Sequence, residues 1–127
     1  MKKILKWTGI ILLILIVVSA VFGLLGLKET RSLQISAVDL NSLADGTYIG
    51  SYENYRWTNS LTVTIENHRI TAIIPIVTQS GREKLVEELS QKIIDAQSSK
   101  VDAISGATLS SNAFLKSVEN ALNNADD

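Results

Sequence analysis

Residues 7–27 carry no charge, and within them Ile10-Ile11-Leu12-Leu13-Ile14-Leu15-Ile16-Val17-Val18 is an unbroken aliphatic run. A helix that is apolar all round must be covered all round. The remainder of a 127-residue chain is too short to surround such a helix and build its own core. Lipid is the alternative cover, since about twenty apolar residues span the hydrocarbon of a bilayer as a helix. Trp7 sits where an interfacial aromatic belongs. Lys2, Lys3 and Lys6 precede it with no acid nearby, which favours a cytoplasmic N-terminus and places the rest of the chain outside the cytoplasm. A cleaved signal peptide competes, with small residues at Val18-Ser19-Ala20 suited to cleavage after Ala20. The apolar run continues through Val21, Phe22, Leu24, Leu25 and Leu27, which favours a retained single-pass anchor in the cell membrane. Either way the domain lies on the same side.

Three units are expected: an anchor or signal segment at 1–27, a stalk at 28–44 and a folded domain at 45–127. The stalk lacks a sustained period, although Leu33, Ile35, Val38 and Leu40 suit a short packed turn. Beyond it, Thr47-Tyr48-Ile49-Gly50-Ser51-Tyr52 is rich in strand formers. Residues 53–60 form a polar loop with two aromatics, Tyr55 and Trp57. Leu61-Thr62-Val63-Thr64-Ile65-Glu66 alternates with the period of a half-buried strand, Asn67-His68 turns, and residues 69–77 return, ending near Pro75. Leu85, Leu89, Ile93 and Ala96 recur at helical spacing, as do Phe114, Val118, Ala121 and Leu122 in a last helix starting near Ser110. The predicted class is α+β: helices packed on a small antiparallel sheet, preceded by one transmembrane helix. The part after residue 27 is net acidic, which argues against nucleic-acid binding. With no cysteine, disulfides, iron–sulfur clusters and thiolate metal sites are excluded.

Chemistry concentrates in Asp102-Ala103-Ile104-Ser105-Gly106-Ala107-Thr108, just ahead of the last helix. Gly106 and Ala107 leave the backbone accessible, so another enzyme can close around the loop and reach the Thr108 hydroxyl. A phosphate there would meet a helix N-terminus, where unpaired N–H groups and the helix dipole favour anions. Ser105, Ser110 and Ser111 can donate to its oxygens. The plain alternative is a turn leading into a capped helix, with Thr108, Ser110 or Ser111 as the cap.

The same seven residues resemble the motif by which FMN-binding domain proteins receive covalent flavin. That family includes the FMN-bearing subunits of the Rnf complex and the sodium-translocating NADH:quinone reductase. The resemblance extends to Asp45-Gly46-Thr47-Tyr48-Ile49-Gly50, to residues 61–74, to Ile93-Ile94-Asp95-Ala96-Gln97-Ser98 and to residues 110–122. It implies FMN joined through a phosphoester to Thr108 by a flavin transferase that draws on FAD. Asp102, Ser105, Gly106, Ala107, Ser110 and Ser111 complete the candidate cofactor site around Thr108. Asp102 has two readings: recognition or acceptor deprotonation by the transferase, or a local cap of its own loop. Tyr48, Tyr52, Tyr55 and Trp57 are candidates to lie against the flavin ring; Tyr48 and Tyr52 share a strand face that also suits the core, which is favoured for Tyr48. His68, at a hairpin tip, suits a solvated position.

The function expected is a membrane-anchored extracytoplasmic electron carrier with covalent FMN, whose partners are membrane lipid and membrane or surface redox proteins. No Gly-rich dinucleotide fingerprint is present, so a carrier is favoured over a self-sufficient reductase. The alternatives are a non-redox binding module and a flavin reductase acting on a small acceptor. Val77-Thr78-Gln79-Ser80-Gly81 lacks the Glu-Thr-Pro-Gly type of segment of the large pump subunits, which favours a short stand-alone carrier.

Overall fold

The computed structural model describes residues 1–55, 57–78 and 80–126, with Asp126 described by its backbone alone; Arg56, Gln79 and Asp127 lie outside the described residues. Helix α1 (Lys2–Leu24) covers the apolar run, and none of its residues is buried. Its 23 residues measure ~35 Å at the helical rise, enough for a bilayer core of ~30 Å. It is a candidate membrane span, with a mean hydropathy of 3.1 over its most apolar stretch. Gly26, at φ +79, turns the chain into a five-residue helix α2 (Leu27–Arg31).

Three antiparallel strands then form one sheet in the order β1-β2-β3: β1 (Gly46–Tyr52), β2 (Asn59–Glu66) and β3 (Arg69–Val77). Asn67 and His68, both at positive φ, make the tight β2–β3 turn, and the Asn67 N–H donates to Asp45 Oδ1 at 2.9 Å. β3 runs past Pro75 to Val77 instead of stopping there. An edge strand tolerates the missing donor, and a register shift beside Leu61, the partner of Pro75, absorbs the irregularity.

Helix α3 (Glu83–Ala96) buries Val86, Leu89 and Ile93. Helix α4 (Thr108–Asp126) lies across β1 and β2, so the fold is α+β, as the sequence pattern predicts. Leu61, Val63, Ile65, Leu89, Ile93, Phe114, Val118 and Leu122 form the core between sheet and helices. The 28–44 segment, expected as a stalk, contributes to that body. Thr30 and Leu43 are buried, and Ile35, Val38 and Leu40 pack against the core.

Side-chain amides bond part of each outer sheet edge, at Ile49 and Ser51 of β1 and at Ile70 of β3. On β1, Asn120 and Asn124 of α4 donate to the carbonyls of Ser51 (2.7 Å) and Ile49 (2.8 Å). On β3, Gln97 accepts from the Ile70 N–H (2.7 Å) and donates to the Ile70 carbonyl (3.0 Å). Gln97 is also the left-handed C-cap of α3, so one residue ends a helix and bonds the β3 edge at Ile70. Gln97→Ala is expected to lower stability by about 1–3 kcal/mol, because it orphans a part-buried donor and acceptor together. Urea unfolding followed by circular dichroism measures this.

Candidate functional site

The motif loop is built by two local devices. Ser105 and Gly106 form a turn in which Gly106 takes φ +81, a conformation that disfavours a side chain. The Ala107 N–H then bonds back to the Ile104 carbonyl at 3.0 Å. The buried Ser111 hydroxyl accepts from the Ile104 N–H at 3.0 Å and pins the loop to the helix it precedes. α4 begins at Thr108 itself, two residues earlier than the sequence pattern suggests. Its first backbone bond, from Ser111 N–H to the Ala107 carbonyl, follows Thr108 and Leu109, whose N–H groups precede the ladder. Thr108 is therefore an exposed hydroxyl at the positive end of a 19-residue helix.

A cavity of about 500 Å3 opens over this helix start. Gly106, Ala107, Thr108, Leu109 and Ser110 form one wall, and Trp57, Arg31 and Arg82 complete it. The two arginines were not evident from the sequence. Arg31 ends α2, whose last carbonyls receive Asn112 Nδ2 of α4: Thr30 O at 3.1 Å and Arg31 O at 3.4 Å. Arg82 is the N-cap residue of α3 and makes no side-chain capping bond. Both side chains are exposed, and neither pairs with a carboxylate among the described residues. Two guanidiniums, a helix N-terminus and an indole thus line the cavity that contains the Thr108 hydroxyl. This donor set fits an anionic phosphate joined to a flat aromatic group.

The other sequence candidates fall in different places. Trp57 lines the cavity, but at 2 % exposure it is a wall component and not a solvent-facing platform. Its side chain is folded inward, and its backbone N–H donates to the Asn54 carbonyl at 3.0 Å. Tyr55 does not line the cavity; it is exposed and meets Phe22 of α1 edge-on, ring centroids 6.2 Å apart. Tyr48 is partly buried against the core, with its hydroxyl on the Ala44 carbonyl, and Tyr52 bonds Thr30. Ser105 is exposed on the turn, outside the cavity wall. Ser110 is buried and lines the wall, while the Ser111 hydroxyl is engaged by the loop. Asp102 lies in a separate depression with Lys92, Asp95 and Lys100. The structure therefore gathers Gly106, Ala107, Thr108, Ser110 and Trp57 and leaves Asp102, Ser105, Ser111 and Tyr55 outside.

The sequence profile of the FMN-binding domain matches residues 25–123, from just after α1 almost to the end of α4. An uncharacterized protein of Treponema pallidum (strain Nichols) is 37 % identical over 84 residues, covering 63 % of this chain and 23 % of that protein. An NADH:acrylate oxidoreductase of Vibrio harveyi is 32 % identical over 101 residues, covering 75 % of this chain and 10 % of that protein. The chain thus spans a quarter or less of the length of these relatives. The matched span contains every wall of the Thr108 cavity, and on that match the chain belongs to the FMN-binding domain family.

Proposed function

We propose that this protein is a membrane-anchored electron carrier that holds FMN covalently, through a phosphoester to Thr108, on the extracytoplasmic side. The presence of Arg31, Arg82 and the α4 N-terminus in the wall of the cavity that holds the exposed Thr108 hydroxyl carries the reading. Similarity to a segment of an oxidoreductase supports a redox role, and the lysines ahead of α1 support the sidedness. When bound, the flavin supplies the electron-transfer chemistry. In maturation, a flavin transferase breaks the pyrophosphate bond of FAD, forms the bond between Thr108 Oγ1 and phosphorus, and releases AMP. The protein's own residues then position the product. Gly106 keeps the approach open, Arg31 and Arg82 balance the phosphodiester charge, and the α4 dipole adds about 0.3–1 kcal/mol. Donor and acceptor are membrane or surface redox proteins.

Co-expression with a flavin transferase tests the attachment. A fluorescent flavin band that survives denaturation and electrophoresis supports it; flavin released by denaturation opposes it. The arginines have their own test in unmodified protein, titrated with FMN and with riboflavin. Each guanidinium at contact distance contributes about 1 kcal/mol in a solvated site, or roughly fivefold in affinity. FMN is therefore expected to bind more tightly than riboflavin, and Arg31→Gln with Arg82→Gln to bring the two affinities together. The preference should also fade with added salt, because both arginines are exposed.

A further inference from the structure

We infer that the Thr108 cavity is held at the bilayer surface by a stiff joint between the membrane helix and the domain, so that its redox partner is one confined to the same membrane. The partner statement rests on reading the cavity as the flavin site; the position of the cavity does not.

The joint is made of polar contacts at and just after Gly26, most of them part-buried. Asn54, 8 % exposed, places Nδ2 within reach of the Gly26 carbonyl, Thr30 Oγ1 and the Tyr52 hydroxyl, each at 3.1 Å. Thr30, fully buried, shares a hydrogen bond with the Tyr52 hydroxyl at 2.9 Å. Its carbonyl and that of Arg31 receive Asn112 Nδ2. The residues directly after the membrane helix are thereby fixed to β1, to the loop after it and to α4. One further contact reaches into the span: Phe22 of α1 against Tyr55, which takes φ +54, a conformation uncommon for an aromatic residue. Gly26, at φ +79, disfavours a side chain, and a Cβ there would displace the Asn54 amide from its hydrogen bonds.

Distances decide what this joint does. α2 rises only ~7 Å from Gly26 to the cavity wall at Arg31, comparable with the ~5–8 Å depth of a headgroup layer. A flexible coil over 28–44 would instead let the cavity wander by ~20 Å. The same end of the sheet, where β1 ends, β2 begins and β3 ends, presents Ile76 and Val77, both exposed, to that interface. The β2–β3 turn at His68 lies at the opposite end, ~25 Å away along β2.

The absence of cysteine makes the test clean. Full-length protein carrying Ser105→Cys, or His68→Cys, is labelled with a fluorophore and reconstituted in phosphatidylcholine vesicles containing headgroup-nitroxide lipid. The label at 105 should be quenched several-fold more than the label at 68. A Gly-Ser linker inserted after Leu25 should remove the difference. Equal quenching at both positions in the otherwise unaltered chain, or a difference that the linker leaves intact, would overturn the inference. Neither label reports on flavin, so failure of the covalent-FMN reading is seen separately, as a missing flavin band beside an unchanged quenching pattern.

Discussion

Thr108→Ala is expected to remove covalent flavin completely while leaving the fold in place. Thr108 is exposed at the first position of α4, where alanine costs at most ~1 kcal/mol through altered helix initiation. The neighbouring hydroxyls do not substitute. Ser111 is fully buried and accepts the Ile104 N–H, and Ser110 is 6 % exposed. A transferase reaching into the cavity therefore meets one accessible acceptor on the helix start. Ser105 is exposed too, but on the turn beyond Gly106, outside the cavity wall. Thr108→Ser should keep the adduct, and Ser105→Ala should retain it undiminished. Flavin fluorescence of the denatured band, normalised to protein, measures all three variants. Circular dichroism should show Thr108→Ala as folded as the parent.

Gly50→Ala is expected to be the most damaging small substitution in the domain. Gly50 is buried in β1 directly beneath α4. A Cβ there would lie 2.1 Å from the Ser117 carbonyl oxygen and 2.4 Å from Ala121 N, both backbone atoms of the helix. No side chain can rotate away, so α4 must lift off β1. Overpacking of this kind costs about 1–3 kcal/mol and occasionally more. Lifting the helix also stretches the bonds from Asn120 and Asn124 to β1, each worth about 1 kcal/mol. A total near 3–5 kcal/mol is a large part of the ~5–15 kcal/mol that holds a typical domain together. The unfolding midpoint of the detergent-solubilised protein should fall by ~10–20 °C. A midpoint unchanged from the parent would contradict the close approach of β1 and α4.

The sequence carried the parts of this structure that have a local period. The α1 apolar run, the alternation of β2 and the stripes of α3 and α4 each depend on spacing within one element, and each element is present. The motif loop was legible for the same reason, as contiguous residues before a helix. What escaped was long-range. Thr30 is separated from Asn54 by 24 residues and from Asn112 by 82, so its position in a buried polar cluster has no local signature. Nothing in the local sequence around Arg31 or Arg82 marks either as a site residue. Only the docking of α2 and α3 around the α4 N-terminus brings them to one cavity. Trp57 was legible as a site residue but not as a buried one, because a polar loop gives no hint of which way it folds. The inward turn of Ser111 similarly depends on the path of Ile104.

Site-resolved mass spectrometry of the protein from its native membranes reads the central claim directly. The account predicts one FMN, joined through phosphorus to the Thr108 side chain, in the peptide that contains Ser105-Gly106-Ala107-Thr108. An unmodified Thr108 in flavin-replete cells, or an adduct carried by any other residue, would contradict it.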